Sequence, residues 1–140
     1  MAGVATYLHL PGTTEEAFEF YKSVFGTEYN GDGIMRFADA PAAEGVPDEM
    51  GQMVMHVGLT ILGDHLLMGS DSPEAQVGNH VSVMLMPDTK AEADELFAKL
   101  SDGGSDIQPP QDMFWGDYWG QCTDKFGVIW QIDVDGSQST

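Results

Sequence analysis

The feature that most constrains the fold of this chain is a pattern that occurs twice, 76 residues apart. A β-prone run, a proline-containing turn, a Thr-x-x-Glu helix start and an amphipathic helix follow one another from residue 4 and again from residue 80. The shift superposes Pro11 on Pro87, Thr13 on Thr89, Glu16 on Glu92, Ala17 on Ala93 and Tyr21 on Phe97. The repeat indicates an internal duplication, and one copy is too short to bury a core alone.

Each copy predicts a strand, a helix and further strands. In the first copy the predicted elements are a strand over 4–10, a helix ending at Gly26, a weak strand over 28–38, a loop over 38–51 and hairpin strands over 53–61 and 65–68. In the second they are a strand over 80–86, a helix ending at Gly103, a short strand over 106–108 and a last strand over 128–134. Each helix is expected to start with a capping box, in which the threonine accepts the third amide N–H and the glutamate reaches back.

This order predicts an α+β fold of two tandem βαβββ modules within one domain. We assign residues 1–75 to the first module, 76–134 to the second and 135–140 to a frayed tail. Their sheets are expected to form a U-shaped mixed sheet around a shared cleft, with the helices outside.

An aromatic stretch over residues 113–133 contains all three tryptophans of the chain. Rings among glycines suit either a pocket wall or the core of a β-hairpin. Placed within the repeat, 114–118 becomes a predicted cleft rim, and 126–130 the turn and strand that lock the second module. We expect Trp119 and Trp130 to pack, Cys122 to be a buried hydrophobe and Asp124 to accept backbone N–H groups in a turn.

The charge excludes several classes of partner. The chain has 23 acidic and five basic side chains, a net charge of −18, which repels nucleic acid and anionic lipid surfaces. No apolar run is long enough to span a membrane, and no signal peptide is visible. A single cysteine excludes an internal disulfide, so we expect a reducing cytoplasm. The acidic excess also suggests a salt-adapted source.

Four segments between residues 17 and 130 carry a resemblance to a known family. They are AFEFYKSVFG at 17–26, HVGLTILGDHLLMGSD at 56–71, FWGDYWG at 114–120 and TDKFGVIW at 123–130. In this order they resemble the vicinal-oxygen-chelate superfamily of glyoxalase, bleomycin-resistance and extradiol-dioxygenase proteins, and within it the PhnB-like branch. The resemblance implies paired βαβββ modules and a homodimer. Its members isomerise, open epoxides, cleave rings or sequester drugs, so the fold does not settle the function.

The resemblance also implies where a metal would sit. Enzymes of the superfamily usually hold a divalent ion with four side chains from the first and last strands of each module. On the first strands the 76-residue shift pairs Thr6 with Ser82 and Val4 with His80, and on the last strands the alignment of Gly63 with Gly127 pairs Leu67 with Gln131. Near them only His80 and Gln131 coordinate well, whereas a catalytic metal needs about three His or carboxylate ligands. We therefore expect no tightly bound catalytic metal; a divalent ion at His80 and Gln131 is the alternative.

The remaining histidines are weighed by their place in the strands. His56 lies in a strong strand and matches a histidine common in the PhnB-like branch, so both a core role and a cleft-facing role stay open. His9 alternates with Thr6 and is expected to point away from the cleft if Thr6 points in. His65 is expected to be solvated at a turn.

The predicted function is binding of a small, largely apolar or aromatic ligand in the cleft, with or without its transformation. Stacking surfaces are expected from Phe114, Trp115 and Tyr118, and polar contacts from His56, His80 and Gln131. One alternative is a metal-dependent lyase or isomerase of the glyoxalase kind, whose ion polarises a carbonyl. A further alternative is a drug-sequestration protein. No Ser-His-Asp or Cys-His arrangement or phosphate-binding glycine loop is visible.

Overall fold

Each half of the chain folds into a strand, a helix and three further strands. The computed structural model describes residues 2–39 and 48–136 and divides into residues 1–76, here module 1, and 77–140, here module 2. The elements of module 1 are β1 (Thr6–Leu10), α1 (Thr14–Phe25), β2 (Met35–Arg36), a short helix α2 (Asp48–Gly51), β3 (Val54–Thr60) and β4 (Leu66–Asp71). Those of module 2 are β5 (Val83–Leu85), α3 (Lys90–Ser101), β6 (Ser105–Asp112), β7 (Tyr118–Thr123) and β8 (Ile129–Val134).

The two sheets have the same strand order. Module 1 is ordered β1-β4-β3-β2 and module 2 is ordered β5-β8-β7-β6. In each sheet the first and last strands of the module run parallel, and the other neighbours are antiparallel. The prediction of tandem βαβββ modules is therefore confirmed.

Several boundaries differ from the sequence-based expectation. The predicted strand over 80–86 is reduced to β5, so His80 lies outside it, and the weak strand over 28–38 is reduced to β2. By contrast, the short strand predicted over 106–108 extends to eight residues as β6, with Pro109 and Pro110 inside it. The prolines are tolerated because β6 is an edge strand. The predicted loop over 38–51 and tail over 135–140 lie partly outside the described residues.

Each helix buries one face against its own sheet. The buried face of α1 carries Ala17, Phe18, Tyr21 and Val24, and that of α3 carries Ala93, Leu96, Phe97 and Leu100. Each fully buried valine, leucine or phenylalanine side chain contributes about 1.5–3 kcal/mol relative to exposure. Neither these helices nor α2 is long and apolar enough to cross a membrane.

The two helix starts differ, and one prediction is wrong. The capping box of α3 is confirmed, because the Thr89 hydroxyl accepts the Glu92 N–H at 3.1 Å and the Glu92 carboxylate accepts the Asp88 N–H at 3.2 Å. In α1 the Thr13 side chain makes no cap hydrogen bond. Instead, the buried Asp71 carboxylate at the end of β4 accepts the Thr14 N–H at 3.0 Å. A residue far along the chain has taken over the cap.

The face of each sheet opposite its helix is here called the open face. In module 1 the residues of β4 that are buried on the helix side are Leu67, Gly69 and Asp71, and in module 2 those of β8 are Trp130, Ile132 and Val134. Residues between them along each strand therefore point to the open face. The open faces are where the predicted site residues have to be sought.

Candidate functional site

The strand register corrects the alignment on which the predicted metal positions rested. Thr6 pairs with Leu67, so both lie on the helix side of module 1. Gln131 lies on the open face of module 2, because its neighbours Trp130 and Ile132 are the buried ones. Pairing Leu67 with Gln131 is therefore wrong by one residue, and one residue is enough to exchange the faces. The same holds for Thr6 and Ser82.

Gln131 is the best-fixed polar side chain of the open face of module 2. Its amide oxygen accepts the Trp119 indole N–H at 2.9 Å, and its amide nitrogen donates to the Ser82 hydroxyl at 2.7 Å. Trp119, predicted to pack, is half-buried and orients this amide. Because both ends of the amide are engaged, Gln131 has a fixed orientation and little freedom to turn toward a metal.

Exposed aromatic rings stand beside this amide. Phe114 is 96% exposed and Trp115 is 52% exposed. Their rings meet edge to face with centroids 5.0 Å apart, and Trp115 lies 6.5 Å from Trp119. The turn that carries them is closed by hydrogen bonds from the Gly116 N–H to the Met113 carbonyl and from the Met113 N–H to the Asp117 carbonyl. A rigid turn thus holds an apolar wall next to Gln131.

A pocket of about 430 Å³ belongs to module 2. It is lined by Val77, Gly78, Asn79, Asp106, Thr123, Gly127 and Ile129. Thr123 and Ile129 pair across β7 and β8 and lie on the same face as Gln131, two residues away along β8. The pocket therefore lies at the end of the open face of module 2 that is formed by Thr123 and Ile129, and its volume is in the range of small-molecule sites.

Tyr118 lies on the other side of the same strand. Its hydroxyl donates to the Asp94 carboxylate of α3 at 2.5 Å, and the Lys90 ammonium lies 5.3 Å from its ring centroid. The hydrogen bond to Asp94, followed by burial, raises the pKa of Tyr118 to about 12. The structure does not bring Tyr118 together with Trp115 and Gln131.

Two further polar residues of module 2 are His80, which precedes its first strand, and Asp133, which lies on its last strand. His80 is exposed and precedes β5 by three residues. Asp133, next to Gln131 on the open face, was not singled out from the sequence. Burial, and then a hydrogen bond with Asp117, raises its pKa. The sequence signal that could have found Asp133 is its spacing of two residues from Gln131, which places both side chains on the same face of a strand.

The open face of module 1 carries His56 with two partners that sequence reasoning missed. The Tyr7 hydroxyl lies 3.3 Å from His56 Nδ1, and the ring centroid of Tyr7 is 5.8 Å from that of His56 and 5.1 Å from that of His9. His9 was expected to point away from the cleft because Thr6 was placed inside. The buried Leu10, two residues from Leu8 along β1, marks the helix side and puts Tyr7 and His9 on the open face.

The residues present do not fit a catalytic divalent ion. At the open-face positions of the first and last strands, module 1 has Tyr7, His9, Met68 and Ser70, and module 2 has Met84, Gln131 and Asp133. Each module thus offers one His or carboxylate among phenol, thioether, hydroxyl and amide groups, which are poor ligands for such an ion. Within residues 2–39 and 48–136 no three His, Cys, Asp or Glu side chains gather in a metal-binding group.

Comparison with known proteins agrees with the motifs. Protein PA1353 from Pseudomonas aeruginosa is 32% identical, with a TM-score of 0.81 over 96% of this chain and 98% of its own. A PhnB protein from Bacillus cereus is 28% identical, with a TM-score of 0.73 over 95% and 99%. Protein YjdN from Escherichia coli strain K12 is 27% identical over 98% of both chains. The fosfomycin resistance protein FosX from Listeria monocytogenes shares the fold, with a TM-score of 0.65 at 11% identity.

The family match covers residues 2–133, almost the whole described chain. Its description is 3-demethylubiquinone-9 3-methyltransferase, and the solved neighbours include PhnB-type and glyoxalase-type proteins. The solved neighbours of glyoxalase and fosfomycin-resistance type share the fold of this chain, and the chain itself belongs to the family with this description, which the PhnB protein of Bacillus cereus also carries.

Proposed function

We propose that the protein binds a small, largely apolar or aromatic molecule on the open face of its sheets, without a tightly bound catalytic metal. The observation that carries the proposal is the Trp115–Trp119 pair beside the fixed amide of Gln131. Flat apolar walls with a few oriented polar groups are typical of small-molecule sites. The 430 Å³ pocket on the same face provides space for such a ligand.

The residues of the proposed site have unequal support. Phe114, Trp115 and Gln131 lie on or beside the open face of module 2, and His56 lies on that of module 1. His80, exposed three residues before β5, stays a candidate contact. Tyr118 is left out because its hydroxyl and ring are engaged by α3. The family description names a demethylated quinone, a planar ring compound that fits the small, largely apolar ligand class we propose.

Binding is tested with 2-methoxynaphthalene, a planar apolar probe, by quenching of tryptophan fluorescence and by calorimetry. Replacing Trp115→Ala removes about half of the aromatic wall, and we expect affinity to fall by about tenfold, as for loss of a stacking ring. The matched control is Tyr118→Phe, because Tyr118 lies on the helix side of the same sheet. This substitution should leave affinity unchanged. Equal effects of the two substitutions would contradict the proposal.

The metal-dependent alternative makes a different prediction. Protein purified without added metal is analysed for zinc, nickel and manganese, and we expect less than stoichiometric amounts. One tightly held ion per chain would favour a lyase or isomerase of the glyoxalase kind instead. Sequestration is distinguished by recovering the bound probe chemically unchanged. The homodimer and the cytoplasmic location stay predictions.

A further inference from the structure

Three side chains that can share or transfer a proton stand together on the open face of module 1. Tyr7 and His9 come from β1 and His56 from β3, with β4 between these strands in the sheet. The Tyr7 hydroxyl crosses β4 to reach His56 Nδ1 at 3.3 Å. The site proposed in module 2 gives this pairing no role.

The direction of this hydrogen bond decides the tautomer of His56, and we take the Tyr7 hydroxyl as its donor. A neutral imidazole has one donor and one acceptor nitrogen, and a phenol hydroxyl is a good donor. With Tyr7 donating to Nδ1, the ring proton resides on Nε2, which points its N–H away from Tyr7. Among the residues that the structure describes, no protein acceptor takes this N–H. The pair thus leaves one oriented donor for a ligand.

The charges of module 1 select the kind of acceptor. Its two basic side chains are already paired, Lys22 with Glu28 at 3.4 Å and Arg36 with Glu15 at 3.0 Å. A chain of net charge −18 repels anionic ligands. The acceptor that fits is therefore a neutral oxygen, and the adjoining rings of Tyr7 and His9 suit a flat molecule. A carbonyl compound such as an aryl ketone, aldehyde or quinone combines both properties.

We propose that His56, with its tautomer set by Tyr7, donates its Nε2–H to the carbonyl oxygen of a small neutral ligand. The proposal rests on the proposed function in treating His56 as a ligand contact, and it goes further by assigning the ligand's chemical group. A fixed N–H aimed at a carbonyl oxygen polarises the C=O bond without forming or breaking a covalent bond. His56 is then the binding residue and Tyr7 its positioning residue.

The tautomer is tested without any ligand. Nitrogen-15 NMR of the imidazoles should show His56 with its proton on Nε2 and an acceptor-type Nδ1. Replacing Tyr7→Phe removes the donor and should give His56 a mixture of both tautomers. A proton on Nδ1 in the unmodified protein, or a spectrum unchanged by Tyr7→Phe, would overturn the assignment of Tyr7.

The ligand class is tested with acetophenone, labelled at its carbonyl carbon, against ethylbenzene, which has the same ring and no carbonyl. Infrared difference spectra should show the carbonyl stretch of bound acetophenone shifted to lower frequency. The substitution His56→Phe should abolish this shift and weaken acetophenone binding by about fivefold, as for loss of one hydrogen bond, with ethylbenzene unaffected. His65→Gln, which removes an imidazole hydrogen-bonded to Thr6 on the helix side, is the matched control and should change neither value.

The outcomes separate the two proposals. Equal binding of acetophenone and ethylbenzene with no carbonyl shift overturns the carbonyl assignment and leaves the proposed function intact. Tighter binding of benzoate than of acetophenone overturns it in favour of an anion site. Failure of both neutral probes to bind either module, read by tryptophan fluorescence in module 2 and by imidazole resonances in module 1, overturns both proposals.

Discussion

Modules 1 and 2 share one strand order, yet they differ in which element supplies the large side chain at equivalent positions of helix and sheet. In module 1 it comes from the helix, and in module 2 it comes from the strand. In module 1 the ring of Phe18 on α1 packs against Gly69 of β4, where an added Cβ atom would meet the ring at 2.7 Å. In module 2 the equivalent helix position is Asp94 and the equivalent strand position is the buried Ile132. The same strand order is therefore compatible with a large side chain on the helix facing a small one on the strand, and with the reverse.

Each module also buries a carboxylate, but at a different place. Asp71 ties the start of α1 to β3 by accepting the N–H groups of Thr14 and Val54 at 3.0 and 2.9 Å. Asp124 closes the β7–β8 turn by accepting the N–H groups of Phe126 and Val128 and the indole N–H of Trp130, at 2.8–3.0 Å. Asp124 therefore accepts backbone N–H groups in a turn, as the sequence predicted. Asp71 of module 1 thus connects two elements that are distant in sequence, whereas Asp124 of module 2 stabilises a single hairpin.

The largest effect is expected at Asp124. Replacing Asp124→Ala leaves the buried indole N–H of Trp130 and two half-buried backbone N–H groups without this acceptor, and the free energy of unfolding should fall by about 4 kcal/mol. Asp71→Ala, which strands two donors, should cost about 3 kcal/mol. Urea denaturation of both variants measures the difference. A larger loss for Asp71→Ala would show that the tie between elements matters more than the turn.

The Gly69–Phe18 contact gives the next effect. Gly69→Ala forces the Phe18 ring to move and should lower the free energy of unfolding by about 2 kcal/mol, as for other overpacked cores. The smaller side chain of Phe18→Leu should relieve part of this strain. In a double-mutant cycle the Phe18→Leu substitution should therefore cost less in the Gly69→Ala protein than in the unmodified one. Additive costs would show that the two residues do not compete for space.

The sequence predicted the helices and the duplication well because the repeat is strongest there. Thr13 and Thr89 differ by 76 residues, as do the starts of α1 and α3. The strands do not keep this shift: in the sheets Thr6 takes the place of Val83, and Leu67 that of Trp130. A one-residue change in the turn between strand and helix leaves a helix pattern intact but reverses every strand side chain.

This reversal explains what was missed at the candidate site. With Thr6 taken as facing the cleft, Tyr7 and His9 were assigned to the opposite face. Tyr118 was predicted at the cleft rim and Trp119 in the core, although only alternation along β7 tells which one lies on the same face as Gln131. Contacts between distant elements, such as Asp94 with Tyr118 and Ser82 with Gln131, have no local signal in the sequence.

The smallest expected effect is on the pKa of a tyrosine that, in each module, is hydrogen-bonded to a carboxylate of the helix. Tyr118 donates to Asp94 in module 2, and Tyr29 donates to Glu19 in module 1. The hydrogen bond to Asp94 is the largest cause of the raised pKa of Tyr118, whereas burial is the largest cause of the raised pKa of Tyr29. Asp94→Asn should therefore remove the largest cause of the raised pKa of Tyr118, whereas Glu19→Gln should leave the largest cause of the raised pKa of Tyr29 in place. Tyrosinate absorbance during alkaline titration measures both.

The same shift has a consequence for stability in alkali. The pKa of Tyr118 rises from 10.0 to about 12 on folding, so below pH 10 the hydroxyl is protonated in both states and its contribution is fully present. Between these two values the unfolded chain loses the proton first, and the contribution is lost as pH rises. Asp94→Asn should flatten this part of the stability curve. An unchanged slope would mean that the hydrogen bond between Tyr118 and Asp94 does not contribute to the stability of module 2.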